Sequence, residues 1–217
     1  MIYSVNIFIC LAAPLMIALF LIKGETQRFI GFFILGLLAC LLSGYVGGFI
    51  ASAATQNGYV SMTAAQSTIR LTPVCEEILK ALPVFLYVAV FQPKRSGIVT
   101  VALAVGLGFA TMENTSYIMN YGVSQVLFVL TRGFASGVMH AICAAILGYG
   151  LTFIYKRERV AFTGSFAVLC AATTFHGIYN LLVSSSGLWL MAGYALPLLT
   201  AATLLIVRHN GKIYGRE

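Results

Sequence analysis

The sequence predicts an all-α polytopic membrane protein of about seven transmembrane helices. Of its 217 residues 60% are apolar and only 9% are charged. Seven apolar stretches are long enough to cross a bilayer core of about 30 Å, and cations recur at every second connection between them. Soluble domains average roughly 45–50% apolar and about 25% charged. A soluble globular protein, a disordered chain and a disulfide scaffold are therefore excluded.

The stretches are 2–22, 29–54, 68–91, 97–120, 126–155, 161–183 and 188–207. The first lacks a basic start and a clear small-residue cleavage site, and Lys23 follows it as a stop, so it reads as a span rather than a leader. The second and fifth are long enough to tilt. The third contains Thr72-Pro73, a good N-cap followed by a good first helical residue, which sets the helix start there and leaves 60–72 outside it.

Ten of the thirteen cations obey one alternation: Lys23 and Arg28 after span one, Lys94 and Arg95 after span three, Lys156, Arg157 and Arg159 after span five, Arg208, Lys212 and Arg216 after span seven. The positive-inside rule then gives an extracytoplasmic N-terminus and a cytoplasmic C-terminus. Topology accounts for the net charge of +7, so nucleic acid is not an expected partner. With no internal repeat or long linker, residues 1–217 read as one membrane domain whose motif-bearing core is about 68–183.

Five cysteines, all within apolar spans and without a CxxC pair, read as small buried apolar residues. Gly133-x-x-x-Gly137 and the cluster Gly44, Gly47, Gly48 read as places where helix backbones approach closely.

Chemistry is carried by the ionisable groups inside the spans. A charge costs about 2.5–3.5 kcal/mol at the centre of a membrane helix on insertion scales. Of six acidic residues, none an aspartate, Glu25, Glu158 and Glu217 fall in polar loops or the tail. Glu76, Glu77 and Lys80 lie in span three, Glu113 in span four, Arg132 and His140 in span five, His176 in span six. At roughly 1.5 Å per residue, Glu76 lies about 12 Å below the outer end of its span, Glu113 and His176 about 10 Å, and His140 about 20 Å. These depths point to one polar site in the outer half of the membrane.

Lys80 follows Glu76 by four residues and Glu77 by three, so it can reach either carboxylate. Glu76 and Glu77 stand about 100° apart on a helix. One therefore faces a cavity while the other is held by Lys80 or Arg132. His176 and Asn180 share a helix face. Arg132 reads as a structural counter-ion.

Such a constellation suits hydrolysis, with Glu taking a proton from water while His or Asn stabilises an oxyanion. It also suits metal-assisted hydrolysis, zinc being the metal for Glu, His and water, with Glu76, Glu113, His140 and His176 as candidate ligands. Proton or cation transport is the third reading. No HExxH is present, and the absence of a repeat or of acidic groups along a through-path favours hydrolysis at the extracytoplasmic face.

Glu76-Glu77-Ile78-Leu79-Lys80 resembles the EExxK motif of the PrsW family of bacterial intramembrane proteases, and Phe109-Ala110-Thr111-Met112-Glu113-Asn114 resembles its FAxxEN motif. His140 and His176-Gly177-Ile178-Tyr179-Asn180 are similar to its third and fourth motifs, in the same order. The resemblance implies a site-1 protease of the bacterial plasma membrane. Such a protease cuts a single-pass anti-sigma factor on its extracytoplasmic side and so begins regulated intramembrane proteolysis in a stress response. It also implies the helical bundle of the superfamily that includes the CAAX prenyl endopeptidases and a scaffolding subunit of gamma-secretase. That last relative keeps a non-catalytic membrane scaffold or chaperone open as an alternative. Carried over by motif, Glu76 and Glu77 are the catalytic carboxylates, His176 is essential and Asn180 is an oxyanion donor, with Glu113 and His140 completing the site. The CAAX enzymes have EExxxR and a His in the second motif where this chain has EExxK and Glu113, so their mechanism does not transfer residue by residue.

Overall fold

The computed structural model describes residues 24–56, 71–121, 126–154 and 157–214. These form six α-helices with no strand among the described residues: α1 (Glu25–Gln56), α2 (Thr72–Phe91), α3 (Arg95–Tyr121), α4 (Val126–Ile154), α5 (Glu158–Val183) and α6 (Leu188–Tyr214). They correspond to expected spans two to seven, whereas the expected span 2–22 lies outside the described residues. Among the described residues six helices thus stand for six of the seven expected spans. Five of the six are long and apolar enough to cross a membrane. The remaining one, α2, is 20 residues long and carries Glu76, Glu77 and Lys80. The protein is an all-α polytopic membrane protein.

α3 is the central post, packed against α1, α2 and α4, and α4 in turn contacts α5 and α6. α2 closes the ring by touching α1, α3, α4 and α5. Apart from Cys75, its buried positions Pro73, Glu76, Glu77, Lys80, Ala81, Val84 and Tyr87 repeat at three- and four-residue steps, one stripe of a helix. The upper half of that stripe is charged and the lower half apolar. Below, Ala81 and Val84 join Ile98, Val101 and Val105 of α3 and Leu147 and Leu151 of α4 in an apolar core. Above it the charged turns of α2 face a gap walled by α3, α4 and α5. The fold thus stacks a polar chamber on a hydrophobic floor.

The first turn of α2 departs from expectation. Leu71 is the residue before the helix, without a side-chain cap bond, and Thr72 is already helical with Pro73 behind it. Proline brings no N–H, so this turn has one donor fewer to satisfy. At the other end Gln92 turns the chain in a left-handed conformation (φ 42°), its N–H donating to the Val88 carbonyl at 3.2 Å.

Close backbone approach also occurs elsewhere than the glycine motif suggests. A Cβ built on Gly133, Gly137, Gly44, Gly47 or Gly48 meets nothing within 4 Å. A Cβ on Gly36 would instead run into the Val105 carbonyl, and one on Gly108 into the Phe33 carbonyl. α1 and α3 touch backbone to backbone because both helices bring a glycine to their crossing, while among the described residues nothing stands within 4 Å of a Cβ added at Gly133 or Gly137.

Three cations gather at one end of the bundle. Arg28 and Lys94 line the same cleft, and Arg95 lies over the Phe153 ring, 5.6 Å from its centroid. The charged stripe of α2 sits toward the opposite end.

Candidate active site

Three turns of α4 and one of α3 make the first wall. Arg132, Ser136 and His140 recur at four-residue intervals and so project from one face of α4. All three meet Glu113 of α3. Ser136 Oγ donates to Glu113 Oε2 at 2.8 Å, His140 Nε2 lies 3.0 Å from the same oxygen, and Arg132 Nη2 lies 3.8 Å from Oε1. Arg132 is held in turn by the Asn114 Oδ1 atom at 2.7 Å and by stacking over the Tyr117 ring, 3.5 Å from its centroid. Asn114 Nδ2 donates to the Gly133 carbonyl at 3.3 Å, tying α3 to α4.

The second wall is α2 against α5. Glu77 Oε1 accepts from Lys80 Nζ at 2.5 Å and lies 2.8 Å from His176 Nδ1. Lys80 Nζ reaches across to His140 Nδ1 at 3.0 Å. An ammonium has no lone pair to offer, so Nδ1 of His140 accepts and Nε2 carries the proton donated to Glu113. One continuous chain of hydrogen bonds runs Ser136–Glu113–His140–Lys80–Glu77–His176 and spans four helices. Phe109 floors it, with Lys80 Nζ 4.3 Å from its ring centroid and the His140 ring at 5.1 Å.

Glu76 stands apart. Among the described residues its Oε2 is buried without a hydrogen-bond partner, and His176 Nε2 is 3.7 Å away. The two neighbouring glutamates thus divide as their 100° separation requires: Glu77 is held by Lys80 and His176, and Glu76 faces open space. Burying a polar atom without a partner costs about 1–3 kcal/mol. Glu76, His140 and His176 each offer one atom, all within 4.8 Å of one another, a group able to hold a metal ion. Its oxygen and imidazole donors suit zinc. Each histidine has its other nitrogen hydrogen-bonded to a carboxylate, the arrangement that orients metal-ligating imidazoles. At His140 the remaining nitrogen is Nδ1, whose lone pair accepts from Lys80, so this ring would ligate an ion only with the Lys80 ammonium displaced from it. Glu113 is not one of the three; it holds His140 from behind.

A family model described as "PrsW family intramembrane metalloprotease" matches residues 25–207. The chain belongs to this family. It is also similar to the protein named "Protease PrsW" from Geobacillus kaustophilus (strain HTA426), 29% identical over 160 residues that cover 71% of this chain and 66% of that one. The chain thus spans a little under two thirds of the length of that relative. No solved structure matches it.

Around this PrsW-family site lie two cavities. One, of about 300 Å³, is bordered by Cys40, Ser43 and Tyr45 of α1 together with Glu76, Met112 and Glu113. The other, of about 230 Å³, is lined by Thr72, Glu76, Glu113, Arg132, Ser136, Asn180 and Tyr194. Glu76 and Glu113 belong to both. The site residues expected from sequence are therefore brought together: Glu77, Glu113, His140 and His176 lie within one hydrogen-bond network, Glu76 stands beside it 3.7 Å from His176, and Asn180 stands on the cavity wall one turn beyond His176. Sequence reasoning missed Ser136, whose signal is its position midway between Arg132 and His140 on one face. It also missed Tyr194, which α6 brings to the cavity without a local pattern to announce it.

Proposed function

We propose that this chain is an intramembrane endopeptidase that cuts a single-pass membrane protein on the extracytoplasmic side. The observation that carries this reading is Glu76 Oε2, buried, unpartnered and 3.7 Å from a histidine nitrogen that Glu77 has turned toward it. Family membership supports an anti-sigma factor as the substrate and the onset of regulated intramembrane proteolysis as the outcome. The gathering of Arg28, Lys94 and Arg95 at one end, opposite the charged stripe of α2, supports a cytoplasmic location for that end under the positive-inside rule. In this orientation the site lies in the extracytoplasmic half of a bacterial plasma membrane.

Glu76 has the free carboxylate oxygen needed to take a proton from water, a role worth about 10²–10⁴-fold in rate. Asn180, on the cavity wall, is placed to donate to the oxyanion of the cleaved peptide bond. Glu77 fixes the ring of His176, and Glu113 that of His140. Glu76, His140 and His176 would hold a zinc ion. Bound there, it would polarise the scissile carbonyl and lower the pKa of water.

Cleavage of a single-pass substrate by the purified chain in liposomes tests the reading, alongside Glu76→Gln and His176→Ala. Both variants should lose cleavage, and cutting at the unsubstituted rate by both would overturn it. Elemental analysis with a chelator arm separates the two mechanisms. With a metal, Glu76→Gln loses ion and cleavage together; without one, cleavage survives chelation.

A further inference from the structure

Beside the site, α1 and α2 part. On its α3 side α1 is clamped backbone to backbone at Gly36 and Gly108. On its α2 side leucines and aromatics stand between the helices and leave an apolar groove of about 330 Å³, walled by Phe32, Leu35 and Leu42 of α1 and by Leu79, Leu82 and Leu86 of α2. Leu82 is 49% exposed and Leu86 65%. Above Leu42 and Leu79 the same two helices border the cavity in which Ser43 and Tyr45 look across at Glu76 and Glu113. The apolar groove thus ends within one helical turn of the polar cavity that holds the Glu76 carboxylate.

We infer that the α1–α2 crevice is the portal through which a single-pass substrate enters from the bilayer, its helix docking in the apolar groove and its outer end unwinding beside Glu76. This rests on the proteolytic reading above. Three features commit the groove to that occupant. The groove ends next to the cavity that holds Glu76, with Leu42 beside Ser43 on α1 and Leu79 three residues from Glu76 on α2. From Leu79 to Phe91 it runs about 18 Å at 1.5 Å per residue, against a hydrocarbon core of about 30 Å. A spanning helix seated there is therefore supported along its inner part and leaves about 12 Å beyond the groove, at the level of the site. Finally, Pro83 lines the groove and has no N–H to give the Leu79 carbonyl. An acceptor short of its helical donor thus sits at the apolar–polar boundary, where a substrate helix must break its own hydrogen bonds.

The test uses the full chain in liposomes with a panel of single-pass probe peptides. Each probe carries a helix of about 20 apolar residues and a randomised polar extension on the extracytoplasmic side. A photo-reactive phenylalanine derivative is placed at position 82 or 86 in the Glu76→Gln background, and at position 162 of α5, an 86% exposed lipid-facing control. Crosslinks to the probe are expected from 82 and 86 and not from 162. In the active chain Leu86→Trp should lower probe cleavage about tenfold, and Val90→Trp should do likewise, while Phe162→Trp leaves it unchanged. All three variants should keep the parent's thermal transition, so that a folding defect in one leaves the other to report. Crosslinks from 82 and 86 that go to residues 2–22 of the chain itself or to lipid, with probes still cut by Leu86→Trp and Val90→Trp, overturn the portal alone. Failure of the unsubstituted chain to cut any probe overturns the proteolytic reading itself.

Discussion

His176 Nδ1 lies 2.8 Å from Glu77 Oε1, and this one contact decides where the other face of the imidazole points. A carboxylate oxygen accepts, so Nδ1 carries a proton, and Nε2 is aimed at Glu76 Oε2 3.7 Å away. Glu77 thus acts on the site by orienting a ring. Glu77→Gln should lower zinc affinity about 10- to 100-fold, read by titration calorimetry in detergent. Unchanged affinity would show that packing alone orients the ring.

Lys80 and Glu77 are each 3% exposed and bonded to one another. Removing one member of a buried pair costs about 3–5 kcal/mol, because the other charge is left without compensation. Lys80→Met should therefore destabilise the protein by about that amount, and adding Glu77→Gln should restore part of the loss. Denaturant unfolding in mixed micelles reads both. Equal stability of Lys80→Met and the parent would mean that water reaches Glu77.

Gly36→Ala and Gly133→Ala make a paired test of packing. At Gly36 the added methyl meets the Val105 carbonyl, and at Gly133 it meets nothing. The first should cost about 1–3 kcal/mol as α1 is pushed off α3. The second should be neutral or slightly stabilising, since Ala is the better helix former by up to about 1 kcal/mol. Thermal unfolding would reverse the assignment of the helix crossing if the order came out the other way.

Ser136 donates to Glu113 Oε2, and Arg132 grips Asn114 and Tyr117 beside it. Ser136→Ala deletes one hydrogen bond to a charged group, and kcat/KM should fall by about 1–2 kcal/mol, or roughly 5- to 30-fold. Arg132→Lys keeps the charge but loses the planar fork and the stacking, so a similar fall is expected despite the conservative exchange. Full activity in Arg132→Lys would reduce that residue to a charge.

Much of this site is legible in the sequence because charge inside an apolar run is conspicuous. Glu76, Glu77, Lys80, Glu113, His140 and His176 stand out for that reason, and the three- and four-residue spacing on α2 places its charges on one face. What the spacing leaves open is the azimuth of each helix relative to its neighbours. That angle decides that Glu77, rather than Glu76, comes within hydrogen-bond distance of His176, and it also decides that Gly36 and not Gly133 lies at a crossing. Ser136 escapes notice because a serine in a membrane helix is ordinary until a carboxylate is placed opposite it.

The hydrogen-bond chain from Ser136 to His176 draws on four separate helices, and no two of them hold it alone. A chain caught midway through insertion, or clipped within the bilayer, therefore possesses the reactive side chains but not their alignment. On the proteolytic reading, competence would arrive only with the last of the four to dock, and a membrane making this protein would be spared the activity of its fragments.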